Sequence, residues 1–292
     1  MAAVAGAEQA ATAPAPARPA AARRSFPVWR WAVLLIAAAY FLIPLYSALR
    51  FAGFRAFTQV TSYPSFGSAF LLSLRLAVIA TVLTLVLMVP TTVYVYLRLP
   101  RIRRLMEAIT ILPIVIPPIV LIVGVLEISP GFLKASPYLL GLEYVVLAMP
   151  FAYRSLDAGL RSFDVRTLVE ASNSLGAGWP TTLWRVVIPN LRTAVLSATV
   201  LTVALVLGEY TMASLDNFQT FPVWIVNFEQ NSGPVSVAAS LLALFVTWLL
   251  LMLIVTVGSR SARKRGGAEV ALFSVSTASV RPPPPGREGE PG

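Results

Sequence analysis

Few residues in this chain are equipped for chemistry, and their positions say more than their number. It contains no histidine and no cysteine, only 13 Asp and Glu, and two lysines, Lys134 and Lys264, in 292 residues. Thiol nucleophiles, imidazole bases, disulfides and His/Cys metal sites are thereby excluded. A nucleotide-binding Gly-x-x-x-x-Gly-Lys-Ser/Thr loop is excluded too, since neither lysine follows a glycine. What remains are acidic residues in unusual settings. Glu143 and Glu209 interrupt apolar runs, where an ionisable side chain is expensive and marks a candidate pathway position. A carboxylate lining a low-dielectric cavity favours a cationic solute. Arg75 stands at the mouth of another apolar run, where its long side chain can reach the surface. Glu170 opens a polar, turn-rich stretch, Glu170–Pro189, in an otherwise apolar chain.

The elements that must hold these residues are membrane spans. The chain is 57% hydrophobic and 12% charged with a mean hydropathy of +0.75, against about 25% charged residues in a soluble domain. Six apolar runs are candidate transmembrane helices: Trp31–Leu49, Leu76–Leu97, Leu105–Leu126, Tyr138–Tyr153, Ala194–Leu215 and Val235–Val257. They lack the alternation of barrel strands, so the fold class expected is an all-α polytopic membrane protein. Its spans and loops occupy residues 30–260, between disordered tails at 1–29 and 261–292 that are rich in Ala, Pro and Gly.

The net charge of +10 is not a nucleic-acid footprint. Of 23 Lys and Arg, all but Arg50, Arg55, Arg75 and Lys134 fall on the tails and on the loops after spans two and four. By the positive-inside rule that side is cytoplasmic, and both termini lie there. No internal repeat is evident, so the inverted-repeat mark of a secondary transporter is missing. An embedded enzyme would need converging acid, base or metal groups that the scattered charges do not supply.

Residues 154–193, between spans four and five, exceed a simple helix connection. Asp164 can cap a short helix from Val165 to Leu175, and Gly176 can take the positive φ that stops it. A second helix would start at Pro180 and end before Pro189. The expectation is helix, tight glycine turn, helix.

The spacing within this loop resembles the signature of the membrane permeases of binding-protein-dependent ABC importers. Glu170, Ala171 and Ser172, then Gly176, then Val186, Ile188 and Pro189 match a pattern of Glu-Ala-Ala, Gly, and Ile-x-Leu-Pro, with conservative departures at Ser172, Val186 and Ile188. The resemblance runs from about Ser73 to Val257 and implies a type I fold. The chain would supply half of a solute pathway and hold no cofactor of its own. It would work with an ABC ATPase dimer that binds ATP and Mg, a second permease chain, identical or paralogous, and an extracytoplasmic solute-binding protein. It also implies that the 164–189 loop is a coupling helix seated in the ATPase. The segment Tyr210–Ile225 looks most like the polyamine-type branch, beside those for iron, thiamine, sulfate and phosphonate. A polyamine or similar organic cation is the solute expected.

Overall fold

The structure, a computed structural model, describes residues 28–134 and 136–278. Every regular element among them is helical. The described residues up to Ser47 belong to one unit and those from Ala48 onward to a second. Helix α1 (Val28–Ser62) carries the first apolar run and is interrupted at Gly53, which sits at φ 67°, ψ 160°. The basic residues Arg18, Arg23 and Arg24 and the last fourteen residues lie outside the described part of the chain.

From α2 onward the spans build a bundle. Helix α2 (Pro64–Arg98) opens on proline and starts twelve residues before the apolar run at Leu76, its first turns lying beyond Arg75. Arg103–Val115 (α3) and Pro118–Ile128 (α4) replace the single span expected over Leu105–Leu126. They meet at 98°. Two successive prolines, Pro117 and Pro118, remove two backbone donors and force Ile116 and Pro117 into extended geometry, at ψ 124° and 135°. A short turn, α5 (Gly131–Lys134), leads into α6 (Pro137–Arg161). Ser136 caps α6 and Pro137 occupies its first turn. The helix passes through Pro150 and runs two turns beyond the expected end at Tyr153.

The segment between α6 and α10 comprises α7 (Val165–Ser174), α8 (Trp179–Thr182), a wide π-turn at Leu183–Val187 and α9 (Ile188–Asn190). Helix α10 (Arg192–Gly208) stops at Glu209, and α11 (Thr211–Leu215) restarts the run, so the fifth span is interrupted where an unbroken helix was expected. Helices α12 (Phe221–Glu229) and α13 (Gly233–Ala278) complete the chain. The backbone of α13 continues as helix to Ala278, across the first part of the segment read as a tail. Among the described residues five helices are long and apolar enough to cross a bilayer, or six when the bent pair α3–α4 is taken as one span.

Three apolar clusters hold the second unit. One joins Val93 of α2, Leu156 and Leu160 of α6, Val165 and Val169 of α7, Val187 of the π-turn, and Leu191 and Ala198. A second joins Leu76, Ile122, Leu140, Tyr144, Val206 and Met212. The third is aromatic at its centre. Trp224, stacked with Phe221 and Phe228, packs edge-on against Phe66, and its indole N–H donates to Ser65 Oγ at 2.8 Å. Beside the first cluster, Asp157 receives Arg103 of α3 and Arg161 of its own helix, and the Arg103 guanidinium lies 4.9 Å from the Tyr96 ring centre. These contacts tie α2, α3 and α6 together at one end.

Close approach of α6 and α10 depends on Gly159, where an added Cβ would collide with Ala194 and meet Leu191 Cδ2 at 3.1 Å. Gly159→Leu is expected to destabilise the bundle by about 1–3 kcal/mol. Gly67→Ala, at a helical position with open space around it, is expected to be neutral or stabilising by about 0.5–1 kcal/mol. Thermal denaturation in detergent checks both.

Candidate functional site

The helix-turn-helix begins with Asp164. Its Oδ1 accepts the Thr167 amide at 3.3 Å, and its Oδ2 accepts the Thr167 hydroxyl at 2.7 Å. Those two hydrogen bonds hold the Asp164 carboxyl below its usual range. The cap therefore stabilises α7 above the ordinary carboxylate pKa and is lost as pH falls through the lowered one.

Helix α7 closes on a two-bond glycine stop. The Ala177 amide donates to Ser172 O, the Gly176 amide donates to Asn173 O, and Gly176 takes φ 79°. The second helix differs from expectation. It starts at Trp179, with Pro180 in its first turn, and passes through Pro189 to Asn190. Proline lacks the donor that would meet Arg185 O four residues back. The chain widens there instead, the Ile188 amide reaching Leu183 O five residues back. That widened turn carries the helix past the proline.

The two arms are joined by Ser172 and Thr182, whose hydroxyls lie 2.9 Å apart with both side chains buried. Of the sequence-singled residues, Glu170, Ala171 and Gly176 are exposed, Ser172 is buried, and Val186, Ile188 and Pro189 are half-buried. They therefore divide into an outward face and a seam. The outward face also carries Leu175, 89% exposed, and Trp184, 69% exposed, with Arg185 beside it. Sequence reasoning missed Leu175 and Trp184, because an apolar residue in a short amphipathic helix reads as core. Only the register of α7, with Val165, Val169 and Ser172 inward, reveals that Leu175 points away. Leu175 and Trp184 are thus exposed apolar side chains in a segment that also exposes Glu170 and Arg185.

The acidic residues of the spans lie near α11. Glu209 Oε1 accepts the Met212 amide at 2.9 Å, and Oε2 accepts the Ala213 amide at 3.3 Å and the Tyr144 hydroxyl at 3.2 Å. Its carboxylate thus caps α11 and fastens the break to α6. Glu143 is 2% exposed beside Asp216, and its oxygens have no donor among the described residues. The structure brings both acidic residues of the spans, buried Glu143 and half-buried Glu209, to one region, together with half-buried Asp216, which the sequence did not single out. Arg75 lies on α2, lining a groove with Tyr138.

The chain belongs to the family "Binding-protein-dependent transport system inner membrane component", which it matches over residues 88–264. It is 28% identical over 245 residues to the molybdenum transport system permease protein ModB of Mycobacterium tuberculosis, covering 77% of this chain and 92% of that protein, and equally to ModB of Mycobacterium bovis. It is 29% identical over 133 residues to the sulfate transport system permease protein CysW of Synechococcus elongatus, covering 43% of this chain and 46% of that protein. Its fold is similar to a chain of the MetNI methionine ABC transporter in an inward-facing conformation, with a TM-score of 0.54 and 19% identity over 68% of this chain and 94% of that one. The chain is thus the permease component of a binding-protein-dependent ABC importer. Members of this class carry the solute path and leave catalysis to another subunit. The polyamine reading finds no support in these matches, which are named for molybdenum, sulfate and methionine transport.

Thr182→Val strands the Ser172 hydroxyl in a buried seam and is expected to cost about 1–3 kcal/mol of local stability. Amide exchange should rise across residues 165–190 and stay unchanged in α2. Glu209→Ala removes the cap of α11 and is expected to cost about 0.5–2 kcal/mol. Uptake should fall alike for every transported solute, as competition between two substrates would reveal.

Proposed function

We propose that this chain forms half of the solute pathway of an importer for a tetrahedral oxyanion of the molybdate or sulfate type. The observation that carries this reading is the similarity to molybdenum permeases across nearly their whole length. Of the carboxylates offered for a cation, Glu209 is held by three donors and Glu143 is buried away from the surface. That weakens the electrostatic case for a polyamine.

The face of Glu170, Leu175, Trp184 and Arg185 docks on an ATPase subunit that binds ATP and Mg. Leu175 and Trp184 supply the apolar contact and the flanking charges set the orientation. A second permease chain completes the pathway and a solute-binding protein delivers the anion. The coupling face and both termini lie on the cytoplasmic side, in keeping with the basic loops.

Uptake of radiolabelled molybdate in cells expressing the complex tests the solute. Competition by sulfate and none by a polyamine is expected, and competition by polyamine alone would overturn the anion reading. Glu170→Arg is expected to insert normally yet lower ATP-driven uptake at least about tenfold, the loss of one well-formed charged contact at a docking site. Normal uptake in that variant would remove Glu170 from the docking face.

A further inference from the structure

Arg75 is an isolated cation. Among the described residues the salt bridges centre on Asp157, so no carboxylate pairs with Arg75. Its side chain is exposed, and it lines a cavity of about 380 Å³ between α2 and the start of α6. The other walls include Leu71, Leu74, Val78, Ile79 and Tyr138. Leu71, Val78 and Tyr138 are exposed at 45%, 56% and 63%. The site is therefore an open apolar groove with one guanidinium and one phenol.

Its depth in the bilayer follows from the helices. Arg75 precedes Arg98 by about 23 residues, which is about 35 Å of helix. Tyr138 precedes Arg161, the far end of α6, by the same length. Both therefore sit one hydrocarbon thickness from the end that carries the coupling turn, at the level of the opposite headgroups. Tyrosine favours that level, where its ring meets the acyl chains and its hydroxyl meets water.

We infer that this groove binds one anionic phospholipid from the leaflet remote from the coupling turn. The Arg75 guanidinium matches two phosphate oxygens with its planar fork of donors. An acyl chain fills the groove along Leu71, Leu74, Val78 and Ile79. Charge complementarity selects the lipid class. A net negative headgroup neutralises Arg75, whereas a zwitterionic one brings its own cation to the same place.

Native mass spectrometry of the permease complex tests this after incubation with equimolar phosphatidylglycerol and phosphatidylcholine. The wild-type complex should retain one more phosphatidylglycerol per chain than Arg75→Gln, with a preference over phosphatidylcholine of about tenfold, as for one charge-assisted contact. Val78→Trp, which fills the groove and leaves Arg75 intact, should lose the same lipid. Equal retention by all three proteins would overturn the site. So would an Arg75→Gln complex that keeps its lipid but loses uptake in every lipid mixture, which would put Arg75 on the solute path. Loss of the lipid from the wild type whenever the second permease chain is bound would assign the groove to that chain.

Discussion

Val187 and Leu191 are packed in the same apolar cluster as Val93, Leu156 and Leu160, and the rest of the molecule depends on that continuity. A helix at the membrane surface could float on headgroups, held only by its amphipathic moment. Here the inner face of the coupling turn, Val165 and Val169, is buried against α6, and the return arm enters α10 after a single residue. The first cluster thus joins the glycine turn to the spans. Its side chains pack as a close-packed solid, while the polar seam of Ser172 and Thr182 keeps the two arms in register.

The same economy governs the breaks in the spans. In lipid every backbone group needs an internal partner, so a helix is interrupted only where neighbouring groups take over. At Glu209 the replacement is explicit, because one carboxylate accepts two amides of α11 and the Tyr144 hydroxyl. At Ile116–Pro117 the prolines have fewer donors to satisfy, and the 98° bend turns α4 toward α11. Both breaks meet in the cluster around Ile122, Tyr144 and Met212. The remote half of the bundle therefore combines the short pieces α4 and α11 with the long helices α2 and α6 that run through both halves.

Much of this was legible from residue types. Apolar runs of bilayer length located the spans, Asp164 and Gly176 fixed both ends of α7, and the loop spacing pointed to the family. Three features were hidden, each for a physical reason. Pro189 reads locally as a helix terminator, and only the widened turn at Leu183–Val187 shows how the chain passes it. Glu209 in an apolar run reads as a pathway charge, since the amides that engage it exist only once the helix has broken. Leu175 and Trp184 are apolar in a mostly apolar chain, so composition cannot distinguish an anchor from a core residue.

The central claim is that the outward face of the glycine turn is the contact through which ATP hydrolysis reaches the spans. Because the chain has no cysteine, single cysteines can be introduced without background. The most direct measurement is site-specific cross-linking of Leu175→Cys and of Val169→Cys to the ATPase subunit in the assembled importer. The account expects an efficient cross-link from position 175 whose yield changes with ATP, and none from the buried position 169. No cross-link from 175 with an importer that still transports, or equal cross-linking from both positions, would contradict it.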